Sequence, residues 1–378
     1  MSTEVLLSLF LPIFFGAAII CLTIRNTPAY AATTSASARA LKLMLLAAPV
    51  FVYGFYLVAL RPLDAGNDTF RYVLTYSNLN GPTSAIAIGT LYYGNTEFLW
   101  WPLQSILATF LNSSNWLIAN FVLVFVATWF FYRSAARSLG LSSAIFALVF
   151  LTFFLVYSGN IMRQALAAPL GALGFFLFFQ RRRISASLLI AVAIGLHWSS
   201  VAFLAAPLFN LRLLDRDRAY LIVALSALIF STLASKIIGD LVATIGISSL
   251  TDKFNLYFSG AHESHVGAVW KTANFWICTL LSATFLSFIN PRSLSNSFLH
   301  KYTCLFLSLI LFGVNTADFA ERYMPFLLLA APLQAALLVD RIRAPAPLKS
   351  AMYLYSFIVL SALVLLAESS QHTLGYTL

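Results

Sequence analysis

The chain has 378 residues, of which 60% are hydrophobic and only 10% are charged, and its formal net charge is +10. Apolar runs of about twenty residues recur along it, which is typical of a polytopic membrane protein and excludes an ordinary soluble enzyme. The basic residues stand in short clusters between apolar runs, as orientation signals do, so the charge does not indicate a nucleic-acid partner.

Apolar runs divide the chain into predicted spans. In chain order they cover residues 5–24, 43–60, 116–132, 141–157, 165–179, 220–233, 270–288, 302–314, 323–339 and 352–367. Two further stretches do not fit one crossing each, because 98–111 is short and 184–211 is interrupted by GLHWSS. The sequence therefore predicts an all-α polytopic membrane protein, with about ten transmembrane helices plus two short re-entrant or interfacial elements. We expect residues 1–378 to form a single integral membrane domain.

Basic clusters orient these spans. One topology places every cluster on the cytoplasmic side, with both termini outside. It requires 184–211 to fold as a hairpin, although that stretch could also form one long tilted helix. The polar loops 61–97 and 236–269 then fall on the outer face, together with residues from distant parts of the chain. We expect these loops to contribute to a site there.

The most polar stretch beside a predicted span is 60–76, LRPLDAGNDTFRYVLTY. Asp64 and Asp68 lie four residues apart in it, and Tyr72 and Tyr76 continue that spacing, so a helix would place all four on one face. A carboxylate among apolar neighbours at a bilayer surface can act as a general base. The alternative is a loop in which Asp68 caps a short helix.

Other ionisable residues stand at the ends or breaks of apolar runs. Glu97 precedes the Trp-rich stretch, either as a catalytic carboxylate or as a complement to the helix dipole. Arg163 enters a span from the outer side and needs an anionic partner, either an aspartate in a structural ion pair or a phosphate. His197 is either a site residue or a hydrogen-bonded core residue. Arg322, in the charged turn 318–322, either binds phosphate or pairs with a neighbouring carboxylate.

Several other chemistries lack their sequence signals. There is no P-loop, GxGxxG or GxSxG motif, which removes support for ATP-driven transport and serine hydrolysis. Cys21, Cys278 and Cys304 show no metal-ligand spacing and are interpreted as core residues. His262 and His265 lack an evident third ligand. We therefore expect neither a metal ion nor a cofactor.

Five short motifs, in order and in spacing, resemble those of the EpsG family of Wzy-like polysaccharide polymerases. They are G-x-D-T-x-x-Y-x-x-x-Y at 66–76, YGNTEF at 93–98, MRQALA at 162–167, HWS at 197–199 and RY at 322–323. Trp198 stands where the family has proline in a His-Pro-Ser segment. The resemblance covers nearly the whole chain.

The resemblance implies a glycosyltransferase of the bacterial inner membrane that polymerises repeat units of O-antigen or exopolysaccharide. Its substrates would be oligosaccharides linked through pyrophosphate to undecaprenol and held in membrane lipid. The fold would be GT-C-like, with a site facing the periplasm or the cell exterior. A Wzz-like chain-length regulator and a flippase would be its protein partners.

Two groups of site residues are expected for such a reaction. Arginines would neutralise the pyrophosphate leaving group, an aspartate would act as general base on the acceptor hydroxyl, and aromatic side chains would contact sugars. The catalytic candidates are Asp68, Asp64, Glu97 and His197. The substrate-binding candidates are Arg163, Gln164, Arg322, Tyr323, Tyr72, Tyr76, Trp100 and Trp101.

Three other functions stay open at this point. A GT-C-type glycosyltransferase using a polyprenyl-phosphate sugar donor would share the acidic outer loop but add one sugar at a time. A membrane O-acyltransferase acting on a surface glycan would use His197 on the acyl donor and make the aspartates secondary. A flippase or transporter would need polar residues along a path through the membrane rather than gathered on one side.

Overall fold

The computed structural model describes residues 51, 55–65, 67–93, 97–141, 161–210, 218–233, 236, 239–241, 244, 269–291, 297–315, 317–342, 345 and 348. All regular secondary structure in these ranges is helical, which confirms the predicted all-α class for this part of the chain. The predicted runs 5–24, 141–157 and 352–367 lie outside the described residues, as do most of 43–60 and most of the loop 236–269.

The α-helices are numbered here in chain order. They are α1 (Asn67–Ser77), α2 (Pro82–Tyr93), α3 (Trp100–Ala108), α4 (Ser113–Leu139), α5 (Met162–Phe179), α6 (Arg183–Leu196), α7 (Ala219–Ile229), α8 (Ala273–Phe288), α9 (Phe298–Phe312) and α10 (Ala317–Arg341). A π-helical turn, Phe55–Ala59, precedes α1. The 3₁₀ helices are Trp198–Asn210, Ser231–Leu233 and Val269–Lys271.

Helix length and composition are consistent with a membrane protein. Among the described residues, three helices are long and apolar enough to cross a bilayer, namely α4, α5 and the Phe319–Arg341 part of α10. Shorter apolar helices accompany them, including α6, α8 and α9. The expectation of about ten crossings stays a prediction.

The ends of α4 show how local sequence sets a helix boundary. Asn112 is its N-cap, and the side-chain oxygen of this residue accepts a hydrogen bond of 2.9 Å from the backbone N–H of Asn115. Gly140 ends the helix with φ 68°, a left-handed conformation that glycine adopts without the steric cost of a Cβ. The 27 residues between them give a helix of ample length for a bilayer.

The chain divides into two compact units, 1–201 with 339–378, and 202–338. In the first unit, α5 packs along α6 and against α4, while α1, α2 and α3 pack on one another. Gly174 lets α5 and α6 approach closely, since a Cβ there would lie 2.9 Å from Ile190 Cγ1.

The core of the second unit is aromatic. In it α9 packs against α7 and α8. The rings of Phe306 and Phe326 stack with centroids 4.5 Å apart, and the Tyr302 hydroxyl donates a 2.9 Å hydrogen bond to the Phe326 carbonyl. These contacts join α9 to α10 through side chains that have little or no exposed surface.

Three local predictions can be compared with the structure. The short Trp-rich stretch forms α3, which is shorter than the predicted 98–111. A single continuous helix over 184–211 is excluded, because α6 ends at Leu196 and His197 is extended with φ −158° and ψ 126°. The segment 318–322, predicted as a turn, is instead the first part of α10, so that prediction was wrong.

Candidate active site

Glu97 lies at the centre of a buried group of ionisable side chains in the first unit. It is only 2% exposed, and its Oε2 accepts an ion-pair hydrogen bond from Nη1 of Arg163, itself 4% exposed. The other carboxylate oxygen, Oε1, lies 3.9 Å from Nε2 of His197. One carboxylate therefore faces two basic groups, from the start of α5 and from the break after α6. Buried charges of this kind require compensating partners.

Arg163 is held from a second side by Tyr72 of α1. Its Nε donates a 2.9 Å hydrogen bond to the Tyr72 hydroxyl, and its Cζ lies 5.5 Å from the centroid of the Tyr72 ring. Because Arg163 is the second residue of α5, its guanidinium also stands beside the positive end of a helix dipole. The site thus holds a fixed planar cation next to helix N–H groups, an arrangement suited to an anion.

Ser199 determines which nitrogen of His197 carries the proton. The backbone N–H of Ser199 donates to Nδ1 at 3.3 Å, and the Ser199 hydroxyl oxygen lies 2.6 Å from the same atom. Since a backbone N–H can only donate, Nδ1 is the acceptor and the ring proton of the neutral imidazole resides on Nε2. His197 therefore presents an N–H toward Glu97.

The segment that carries Glu97 is tied to the end of α6. The backbone N–H of Leu99 donates to the carbonyl of Gly195 at 3.0 Å. A Cβ on Gly195 would lie 2.5 Å from Leu99 Cδ1, so only glycine permits this approach without displacement. The close contact brings Glu97 and His197 to the same place although they are distant in sequence.

Aromatic packing fixes Tyr72. Its ring centroid lies 6.1 Å from that of Trp100 and 6.3 Å from that of Trp101, and both indoles have 0% exposed surface. Gly89 of α2 makes room for Trp101, because a Cβ there would overlap the indole. The two tryptophans therefore support the hydroxyl that orients Arg163. Their predicted contact with sugar rings stays a prediction.

Tyr76 and Arg61 connect α1 to its neighbours. The Tyr76 hydroxyl donates to the carbonyl of Leu111 at 2.8 Å, and burial raises the pKa of Tyr76 to about 12, so the phenol stays protonated. Arg61 donates from Nη1 to the carbonyl of Val58 at 2.5 Å and from Nη2 to Thr69 Oγ1 at 3.3 Å. Burial lowers the pKa of Arg61 to about 10, which still leaves it charged at neutral pH. These contacts tie the π-helical turn 55–59 to α1.

The two aspartates of the 60–76 stretch occupy different positions from Glu97. Asp64 is exposed and precedes α1, so it does not extend the helical face of Tyr72 and Tyr76. Asp68 is half-buried and lies in the first turn of α1, one residue inside the helix rather than at the N-cap. Gly66, which begins the same motif, lies outside the described residues.

With this geometry established, comparison with known proteins identifies the family. The model of the EpsG family matches residues 44–378. The chain belongs to the EpsG family. This family is associated with polysaccharide polymerisation, which agrees with the class of function that the resemblance implied. No curated protein and no solved structure matches the chain.

The remaining predicted residues of this EpsG family protein lie beside the centre or in the other unit. Gln164 is buried next to Arg163 in α5. Arg322 and Tyr323 belong to α10 in the second unit, where the Tyr323 ring packs 5.0 Å from that of Phe319. The substrate contacts expected of these three residues stay predictions.

The described ranges contain no group of three or more His, Cys, Asp or Glu side chains arranged to hold a metal ion. His262 and His265 lie outside those ranges.

Sequence reasoning missed the residues that position the ionisable groups. The sequence alone predicts no role for Gly89 or Gly195, although Gly195 belongs to the GLHWSS segment that interrupts the apolar stretch 184–211. Ser199 was noted only as part of a motif. The signal for Gly195 was a glycine directly before a break in an apolar run, where close backbone approach is common.

Proposed function

We propose that this EpsG family protein is a polysaccharide polymerase that transfers a glycan from undecaprenyl pyrophosphate onto a lipid-linked repeat unit. The observation that carries the proposal is the buried Glu97–Arg163 pair, flanked by Tyr72 and His197. Family membership supports the polymerase class. A fixed guanidinium and a carboxylate in one apolar enclosure are the two groups that glycosyl transfer from a pyrophosphate needs.

Arg163 binds and neutralises the leaving group in this proposal. Its guanidinium is held by Tyr72 and stands at the N-terminus of α5, where Ile161 in the N-cap position offers no side-chain cap to the helix N–H groups. The bond between the anomeric carbon and the phosphate oxygen breaks, and its electron pair leaves with the pyrophosphate. A preorganised cation stabilises the charge that develops on that oxygen.

Glu97 is the general base that the geometry favours. The acceptor hydroxyl forms the new bond to the anomeric carbon, and its proton passes to the carboxylate. Position favours Glu97 over Asp68 and Asp64 for this task, because Glu97 is buried beside Arg163 whereas Asp64 is exposed and Asp68 lies half-buried at the start of α1. Asp68, at the half-buried edge of α1, is the second candidate.

The proposal keeps the orientation and partners inferred from the sequence. The site faces the periplasm or the cell exterior, and the membrane is the bacterial inner membrane, because the basic clusters then lie in the cytoplasm. Trp100 and Trp101, which have no exposed surface, support the site by holding Tyr72 beside Arg163. A flippase delivers the repeat units, and a Wzz-like protein regulates chain length.

The test is complementation in the native organism after deletion of the gene, followed by electrophoresis of the surface polysaccharide. Deletion of the gene should leave surface glycans that carry a single repeat unit. The Arg163→Ala protein should fail to restore chain extension although it is present in the membrane in normal amounts. Arg183→Ala, which removes an exposed arginine at the start of α6, is the matched control and should restore full-length polymer. Full-length polymer with Arg163→Ala would refute the proposed role.

The deletion phenotype also separates the other functions. A shortened repeat would indicate a single-sugar glycosyltransferase with a polyprenyl-phosphate donor. A full-length chain that lacks acyl groups would indicate an O-acyltransferase.

A further inference from the structure

The two oxygens of the Glu97 carboxylate face two different basic groups. Oε2 is paired with Arg163, whereas Oε1 lies 3.9 Å from Nε2 of His197. A separation of 3.9 Å exceeds the typical N–H···O hydrogen-bond length by about 1 Å. A small movement of the Glu97 carboxylate would therefore break its contact with Arg163 and bring it within hydrogen-bond distance of His197.

Donor binding creates a conflict at Arg163. The pyrophosphate of the donor requires the guanidinium that Glu97 occupies in this structure. If both anions stayed on Arg163, two negative charges would meet in a buried enclosure, and like charges there repel strongly. Glu97 must therefore release Arg163 at least in part when the donor binds.

We propose that His197 is a positioning residue that receives the Glu97 carboxylate when the donor occupies Arg163, an inference that rests on the proposed function. In the free protein Glu97 competes with the donor for the guanidinium. Donor binding moves the carboxylate to His197 Nε2–H, where it is no longer neutralised by Arg163 and can accept the proton of the acceptor hydroxyl. The base is therefore set for reaction only after the donor has bound.

Ser199 is the second positioning residue, because it makes His197 a donor toward Glu97. Its N–H and its hydroxyl both lie within hydrogen-bond distance of Nδ1, which keeps the imidazole proton on Nε2. With the proton on Nδ1 instead, Nε2 would present a lone pair to Glu97 and repel it. Ser199 thus orients the His197 ring through Nδ1, and the ring in turn orients the Glu97 carboxylate through Nε2.

The first test measures donor affinity in the full-length protein, purified in detergent, by calorimetric titration with undecaprenyl pyrophosphate. Glu97→Gln removes the competing charge and should bind this lipid about tenfold more tightly, while chain extension in cells falls about a hundredfold or more. Asp340→Asn, an exposed carboxylate changed to an amide, is the control and should leave affinity unchanged. Unchanged or weaker binding by Glu97→Gln would overturn the inference.

The second test compares two amides at position 197. The side-chain nitrogen of glutamine reaches the place of His197 Nε2, whereas that of asparagine reaches only the place of Nδ1. His197→Gln should retain about a tenth of the chain extension and bind undecaprenyl pyrophosphate about as the wild type does. His197→Asn should retain about tenfold less extension and bind this lipid about tenfold more weakly, because Glu97 then has no N–H to receive it when it leaves Arg163. Equal chain extension together with equal lipid binding by the two variants would contradict a donor role for Nε2 of His197.

The third test uses neighbouring serines. Ser199→Ala removes the hydroxyl from Nδ1 and should lower chain extension about threefold to tenfold. It should weaken binding of undecaprenyl pyrophosphate by at most about threefold, because the backbone N–H of Ser199 still bonds Nδ1. Ser200→Ala is the matched control, since the buried Ser200 hydroxyl has no hydrogen-bond partner among the described residues, and it should extend chains normally. Equal effects of the two substitutions would overturn the role of Ser199.

Failure of this inference differs from failure of the proposed function. If Arg163→Ala loses binding and extension while Glu97→Gln binds undecaprenyl pyrophosphate no better than wild type, only the transfer of Glu97 to His197 is refuted. If Arg163→Ala binds the lipid and extends chains normally, the proposed function itself fails.

Discussion

Each unit of the molecule contains a group of buried polar side chains in mutual contact, and these two groups differ in charge and in the backbone that carries them. In the first unit, Glu97 and His197 lie outside α-helices, and Arg163 lies at the start of one. In the second unit, Gln334 Nε2 donates to Thr303 Oγ1 at 2.8 Å and lies 3.3 Å from Ser282 Oγ, joining the interiors of α10, α9 and α8.

The difference separates a structural polar contact from a functional one. Neutral amides and hydroxyls between membrane helices contribute on the order of 1 kcal/mol and hold the helices together. Ionisable side chains cost several times more to bury, and irregular backbone at membrane depth is tolerated only where protein or a cavity encloses it. The cost of burying ionisable side chains falls on the Glu97–Arg163–His197 group and not on the Gln334–Thr303–Ser282 group. This difference agrees with the catalytic role proposed for the first group.

The largest expected effect is on the charged group. Glu97→Ala leaves the buried Arg163 guanidinium without this carboxylate and should lower the free energy of unfolding by about 3–5 kcal/mol. Combining it with Arg163→Met removes both charges and should recover most of that loss without recovering chain extension. Thermal unfolding in detergent measures the first effect and polysaccharide electrophoresis the second. A double variant no more stable than Glu97→Ala would show that the pair does not behave as one charged unit.

A smaller effect is expected from the backbone that positions Glu97. Gly195→Ala places a Cβ 2.5 Å from Leu99 Cδ1 and should displace the Glu97 segment, at a cost of about 1–3 kcal/mol and a loss of about tenfold or more in chain extension.

Gly174→Ala is the matched control for that substitution. It creates a similar contact, 2.9 Å from Ile190 Cγ1, between α5 and α6 and should lower stability while leaving chain extension intact. If both variants extend chains equally well, the Gly195 contact does not position the site.

The smallest effect is expected in the second unit. Gln334→Leu removes the amide that bonds Thr303 and Ser282 and should cost about 1 kcal/mol in the free energy of unfolding, with chain extension unchanged. Unfolding temperature and polysaccharide length together check this outcome. If the Gln334→Leu protein is present in the membrane in normal amounts but does not extend chains, the proposed difference between the two polar groups is wrong.

Much of the candidate site was predictable because charged residues are rare in this chain. Arg163, Glu97 and His197 stood out as polar residues at the ends or breaks of apolar runs, and the structure brings all three together. The sequence favoured Asp68 as the base because it belongs to the densest polar stretch. The proposed function prefers Glu97 instead, because it is buried beside Arg163 and linear charge density does not measure burial.

The sequence by itself determined the membrane class, the helical architecture of the described ranges and the family, since composition, run length and ordered motifs are properties of the linear chain. Only the tertiary structure decided that Arg163 pairs with Glu97, that Ser199 sets the proton of His197, and that Trp100 and Trp101 are buried. Helical spacing predicts neighbours three or four residues apart. The contact between Glu97 and Arg163, 66 residues apart, depends on how the helices pack, and that information is not contained in any local pattern.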